Sequence, residues 1–307
     1  MKSILTASLI VSAFVCTSPA ADLDTSKIDN LTGLKGKLNE KEAVYKIGFP
    51  RDDVKIAVAG WQMPPFMGLG TWAAFQGSDE KAMMMGDTVL FEDEVNAAMS
   101  AALDNGLSVT ALHNHFFFDQ PNIYFMHIEG EGSADQLAGA VRKVYDSAKA
   151  IRRLAPKPPN SFAGLTAEKK SLPQKSSISA APLNDIFGSS GEVKDGMVKF
   201  TIGKKSSMDG MEIGNTMGIN TWAAFAGSDD NAVVDGDFAM TEDELQPVLK
   251  SLRKSGINIV AIHNHMTHET PRIMFLHFWG RGPAVQLAKA IKAAIDLTES
   301  DLTRTRN

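Results

Sequence analysis

Residues 111–127 read ALHNHFFFDQPNIYFMH, and residues 261–277 read AIHNHMTHETPRIMFLH. Three histidines recur at a constant offset: His113, His115 and His127 in the first stretch, His263, His265 and His277 in the second. The chain's seventh histidine, His268, lies inside the second stretch. Each stretch places a proline, Pro121 or Pro271, between two runs rich in β-branched and aromatic residues. That pattern predicts a β-hairpin with a short turn.

The duplication reaches beyond the histidines. From Met67 onward the first half aligns without a gap on the second from Met217. Thr71-Trp72-Ala-Ala-Phe75 matches Thr221-Trp222-Ala-Ala-Phe225. Gly77-Ser-Asp79 matches Gly227-Ser-Asp229, Gly86-Asp87 matches Gly236-Asp237, and Glu92-Asp93-Glu94 matches Glu242-Asp243-Glu244. About thirty of about seventy-five positions are identical, more than shared composition gives. Upstream the match weakens, with Gly33 paired to Gly188 and Gly48 to Gly203. A repeat of this length is a duplicated domain, not a solenoid unit.

Each copy contains the same predicted elements. Met197 to Gly203, Thr71 to Phe75 and Ala82 to Phe91 read as strands. Thr241 and Glu244 form a capping box that opens a helix to about Ser255, stopped by Gly256. Its counterpart runs from Glu92 to Asn105 and stops at Gly106. After the histidine hairpin, Ala134 to about Ala150 is an amphipathic helix. The fold class is therefore α+β: two homologous repeats, each an antiparallel sheet with two helices, packed as a pseudo-dimer within one chain. The expected limits are 21–152 and 183–307, with a Pro/Ser/Lys-rich linker over 153–182.

The start of the chain reads as an export signal over 1–20, with a basic start, an apolar run from Ile4 to Val15 and a cleavage point after Ala20. This implies a periplasmic or secreted protein. Cys16 is the sole cysteine. Ala13-Phe14-Val15 matches a lipoprotein signal poorly, so anchoring at Cys16 is the secondary reading. No other stretch approaches about 20 uninterrupted apolar residues, so no transmembrane span is expected. The net charge of −5 argues against a dedicated nucleic-acid binder.

Residues two apart on a strand share a face, so His113 and His115 point together. A turn centred near Gln120 would set His127 almost opposite His115, and imidazole is the commonest protein metal ligand. The expectation is one divalent metal site per repeat, from His113, His115 and His127 and from His263, His265 and His277, or one site shared between the copies. Three nitrogen ligands leave positions open for water or substrate. The alternatives are a metal-free catalytic or ligand-binding histidine cluster and a structural polar network.

Further ligands are open. Asp119 and Glu269 follow His115 and His265 by four residues, giving His-x-His-x3-Asp/Glu. This resembles part of the cupin metal motif, but the interval to the last histidine is short and two helices per copy do not belong in a jelly roll. Asp is also favoured at a turn for its own chemistry. His268 is a third candidate. Asp87 and Asp237 are candidate outer acids that hold an imidazole tautomer, or simple turn residues. Glu92, Asp93 and Glu94 suit a helix start, where acids oppose the macrodipole. Trp72, Trp222, Phe75 and Phe225 read as core. Methionine with imidazole suits copper, yet Met83-Met84-Met85 gives way to Ala232-Val233-Val234-Asp235, shifted by one position, and core filling explains the exchange of Met with Val. Zinc, manganese, iron, nickel and copper stay undistinguished.

The Thr-Trp-Ala-Ala-Phe motif, the Gly-Asp and Glu-Asp-Glu stretches, and above all Ala-Leu-His-Asn-His followed by Pro and Phe-Met-His resemble the LppY/LpqO family of exported bacterial proteins. The resemblance covers both halves and implies export; the family is a domain of unknown function and implies no activity. Three functional classes follow from the residues. One is an exported metal-dependent enzyme acting on a small molecule or envelope component, in which a metal-bound water is made acidic. The second is a non-catalytic carrier of metal or a small ligand. A structural envelope module is the third. Phe116-Phe-Phe-Asp119 is replaced by Met266-Thr-His268-Glu269, and Glu129 by Trp279, so the two sites are expected to be unequal, the second holding metal better.

Overall fold

The computed structural model describes residues 23–159 and 172–298. Residues 1–20 and much of the expected linker lie outside that range, with Cys16 and Ala20 among them. Twelve strands form one continuous antiparallel sheet. The first repeat contributes β1 (Lys37–Asn39), β2 (Val44–Pro50), β3 (Gly70–Gly77), β4 (Ala82–Phe91), β5 (Ser108–His113) and β6 (Ile123–Gly132). The second contributes β7 (Glu192–Lys194), β8 (Met197–Gly203), β9 (Asn220–Ser228), β10 (Asn231–Thr241), β11 (Asn258–His263) and β12 (Ile273–Gly282). Their order is β1-β2-β3-β4-β6-β5-β11-β12-β10-β9-β8-β7. The order is a palindrome, and Leu112 of β5 pairs with its own counterpart Ile262 of β11. A pseudo-twofold axis therefore runs through the centre of the sheet.

One face of the sheet carries the helices α1 (Thr25–Thr32), α2 (Glu92–Asp104), α3 (Ala134–Leu154), α4 (Ala180–Phe187), α5 (Glu242–Lys254) and α6 (Ala284–Ile295). Leu137, Val141, Val144 and Ala148 make the buried stripe of α3 at helical spacing. It packs with Ala82, Met84 and Leu90 of β4 in the main core. Each helix after a β4-type strand begins with a glutamate that reaches back to its own N-cap. Glu94 accepts from the Phe91 amide at 2.9 Å, and Glu244 from the Thr241 amide at 2.7 Å. Thus the glutamate half of the expected capping box recurs where phenylalanine has replaced threonine.

Alternate residues of the same strands face the other way. Val89, Phe91, Ile123 and Phe125 form a small second core with Ile56, Met63 and Leu69 from a loop that lies over that face. Ile213, Ile219, Ala239, Ile273 and Phe275 repeat it. Each repeat is therefore a helix-backed half-sheet with a loop cap on the opposite face.

The halves are tied across the axis by a reciprocal pair of amides. The strands β5 and β11 are each irregular, between Val109 and Ala111 and between Ile259 and Ala261. On the sides that face each other the two strands pair at Leu112 and Ile262 alone, so Val109 and Ile259 have no strand partner there. The Gln246 Oε1 accepts from the Val109 amide at 3.0 Å while its Nε2 donates to the Val109 carbonyl at 2.8 Å. Asn96, its counterpart, accepts from the Ile259 amide at 2.8 Å and donates to the Ile259 carbonyl at 3.4 Å. Two side chains so satisfy the backbone groups that the irregular strands expose to one another.

Two details differ from expectation. α1 and α4, ending at Gly33 and Gly188 in left-handed conformation, are a third helix per repeat; eight residues with a short apolar stripe gave too weak a periodic signal, and α4 begins within the segment read as linker. The upstream register pairs Gly48 with Trp72 and Thr201 with Trp222. Gly48 is thus the counterpart of Thr201, not Gly203, because the second copy is shorter between this strand and the next.

Candidate metal centre

The histidines lie on the cap face, at the ends of β5 and β11 nearest the axis. His113 and His263 end their strands; His115 and His265 follow beyond them. The expected opposition of His115 and His127 is not the register found. His127 pairs with Ala111 on one side and Asp87 on the other, and His113 pairs with Phe125. The connection is a longer loop through a cis Gln120–Pro121 bond, repeated at Thr270–Pro271, in place of a tight turn. The loop curls His115 back over β6, where its ring stacks on Phe125 with centroids 3.4 Å apart; His265 stacks on Phe275 at the same distance.

The imidazoles still converge. The Nε2 atoms of His113 and His115 are 3.2 Å apart, and those of His263 and His265 are 3.1 Å apart. Two nitrogens each about 2.05 Å from a shared ion lie about 2.9–3.4 Å apart at octahedral to tetrahedral angles. Both pairs have the spacing of ligands on one ion. His127 stacks parallel to His113 at 5.1 Å, and His277 parallel to His263 at 4.8 Å. The His277 Nδ1 lies 3.2 Å from the Gly236 carbonyl. In the tautomer that donates there, Nε2 is left free.

The carboxylates divide into two roles. Asp237, His263 and His265 each offer one ligand atom within 4.8 Å of the others, the one such group of three among the described residues. The Asp237 Oδ2 is 3.4 Å from His265 Nε2, and its Oδ1 accepts from the Leu276 amide at 3.1 Å. Asp237 therefore stands closer than the outer acid expected from sequence. Its counterpart Asp87 is buried with Oδ1 unpartnered. Asp119 and Glu269 are instead spent on the loop: they accept from the Ile123 and Ile273 amides at 2.8 and 3.0 Å. His268 sits exposed at the loop with φ +69°. None of these three joins the group.

Electrostatics favour neutral rings and reluctant acids. Burial, helped by the neighbouring imidazoles His127 and His115, lowers the His113 pKa. Burial lowers that of His115 too. His263 is pushed down to about 4, first by burial and then by His277 and His265. Burial raises Asp87 and Asp237 against the pull of the rings beside them. Neutral imidazole is the form that ligates.

Sequence reading missed a second cluster on the helix side. Glu94, fully buried, accepts from both terminal nitrogens of Arg51 at 2.7 Å, and Arg152 Nε lies 2.6 Å from it as an ion pair. Asp93 also pairs with Arg152. In the second repeat Lys204 meets Glu244 at 2.6 Å. The acids at the helix start thus hold basic side chains against the sheet, and none of them joins the histidine group.

The family model described as Domain of Unknown Function (DUF1259) matches residues 26–147 and 181–297, one copy per repeat. No curated protein matches the chain. Among solved structures, a trimeric bacterial microcompartment shell protein PduB aligns over 85% of this chain and 89% of its own, at 10% identity and a TM-score of 0.22. That likeness is too low to carry an argument.

Proposed function

The chain belongs to the DUF1259 family of unknown function, and we propose that it is an exported metalloprotein with one divalent transition-metal centre in each repeat. The observation that carries the proposal is the convergence of Asp237, His263 and His265 on one point. The near-identical Nε2 spacing of His113 and His115 supports the same chemistry in the first repeat. His263 and His265 with Asp237 would hold the ion, His277 standing beside them; in the first repeat His113 and His115 would do so, with His127 and Asp87. Nitrogen and carboxylate donors suit zinc, manganese, iron, nickel or copper.

Two ring nitrogens and a carboxylate leave coordination positions vacant, and His115 and His265 are exposed. The open side favours a metal-dependent enzyme on a small molecule or envelope component over a closed carrier site. A bound ion there would make its water acidic. The finer family assignment, LppY/LpqO, and export through the signal at 1–20 belong to this proposal. They are supported by the Thr-Trp-Ala-Ala-Phe and Ala-Leu-His-Asn-His motifs and by the basic-apolar-small order of the first twenty residues. Metal analysis of the untagged protein tests the reading. Stoichiometric metal that is lost in His263→Ala and His113→Ala is expected; a metal-free protein whose rings merely brace the loop would overturn it. Chelator-sensitive turnover in a substrate panel separates enzyme from carrier.

A further inference from the structure

We propose that the first repeat docks on an uncharged lipid surface through the tips of its cap loops. Residues 57–72 contain no Asp, Glu, Lys or Arg, and neither do residues 113–118. The two segments form one platform. Ala57 and Val58 pair with Gln120 and Asp119, and the Ala59 amide donates to the Phe118 carbonyl at 3.1 Å. The inner side of the platform is packed: Ile56, Met63 and Phe116 join the small core over Phe125. The outer side presents Phe66 at 100% exposure, Phe117 at 86%, Phe118 at 81% and Trp61 at 56%.

An exposed aromatic cluster of this kind marks an interaction site. A small-molecule pocket would half-bury its walls, and Phe66 has no wall around it. A protein partner would meet a polar rim, which these segments do not supply. The interfacial zone of a bilayer accepts aromatic side chains without any charged partner. The counterpart positions in the second repeat are Met211, Thr216, Thr267 and His268, and residues 207–222, the counterpart of 57–72, carry Asp209 and Glu212. Lipid docking therefore belongs to the first repeat alone. Phe116, beside the tips, touches His115 with centroids 5.9 Å apart, so docking brings that histidine cluster to the lipid surface. The inference does not depend on metal binding.

Cosedimentation of the full chain with phosphatidylcholine vesicles tests it, at about 0.1 M and about 0.5 M salt. The wild type is expected to bind equally at both. Phe66→Ser/Phe117→Ser/Phe118→Ser should bind at least about tenfold more weakly, with circular dichroism and melting temperature unchanged because all three rings already lie in solvent. Met211→Ser/Met217→Ser in the second repeat should bind as the wild type does. Absent vesicle binding, or binding that survives the triple substitution, overturns the proposal. So does a dimer in gel filtration that the triple substitution abolishes, which would assign the platform to a second copy of the chain.

Discussion

Replacing Asn96 by alanine removes the side chain that completes the backbone of the opposite repeat. The Ile259 amide and carbonyl then lose their partners at 2.8 and 3.4 Å. Ile259 is 2% exposed, so water does not readily replace them. A buried group left unpaired costs about 1–3 kcal/mol; the long carbonyl bond falls at the low end. The expected cost is about 2–4 kcal/mol, and a chain of this size loses about 2–4 °C of melting temperature per kcal/mol, so about 4–16 °C in all. Gln246→Ala makes the same break for Val109, but Gln246 is only half-buried and water can reach the gap, so its cost should be about 1–2 kcal/mol. The two amides share no partner, and the double variant should be additive within about 0.5 kcal/mol. Thermal unfolding gives the magnitudes, and hydrogen exchange of the Ile259 amide locates them. A loss below about 0.5 kcal/mol for Asn96→Ala, with Ile259 protection unchanged, would refute the view that these amides join the repeats.

Glu94→Ala removes the buried carboxylate between Arg51 and Arg152 but leaves Arg51 its bonds to Asp53 and the Val89 carbonyl, so it should cost about 1–3 kcal/mol in chemical unfolding, whereas a change below about 0.5 kcal/mol would show that the cluster is solvated. Asp119→Ala should lower stability by about 1–3 kcal/mol while leaving metal stoichiometry intact; loss of metal would restore Asp119 as a ligand. A Cβ at Gly236 would lie 2.2 Å from the Trp222 carbonyl oxygen, against 2.9 Å for the nearest atom at Gly86. Gly236→Ala should therefore destabilise by about 1–3 kcal/mol or more and exceed Gly86→Ala, and equal melting temperatures would contradict the asymmetry. For metal-stripped protein, His263 has a folded pKa of about 4 against an ordinary value of 6.5. The unfolded chain thus binds the proton first, and this contribution to stability is complete above pH 6.5 and is lost as pH falls towards 4. His263→Asn should flatten that part of the stability profile, and an unchanged acid limb would place the titration elsewhere.

The duplication was legible because the motif Thr-Trp-Ala-Ala-Phe and the histidine spacing repeat without a gap, and gapless identity needs no structure to see. The strands and long helices followed from apolar periodicity and from Gly106 and Gly256 as stops. What joins the repeats was not legible: Asn96 and Gln246 look like ordinary helix-surface amides until β5 and β11 meet. A matched amide pair on helices that precede the central strands is the signal that was there to read. The imidazole cluster was visible as a pattern, but its register was not, since a loop through a cis proline bond replaces the expected tight turn and carries His115 and His265 back over Phe125 and Phe275. Which acid stands nearest the rings depends on the same register. Asp119 and Glu269 are close to the histidines in sequence and serve the loop, whereas Asp237 is remote in sequence and is brought to His277 by strand pairing.

The most direct measurement is X-ray absorption at the zinc edge of the full chain loaded with zinc. It should show nitrogen and oxygen neighbours at about 2.0–2.1 Å, with multiple scattering from at least two imidazole rings per ion, and His263→Ala should remove one of the two bound ions. A zinc spectrum without imidazole scattering, or one unchanged by substituting both His113 and His263, would contradict the convergence of these rings on an ion.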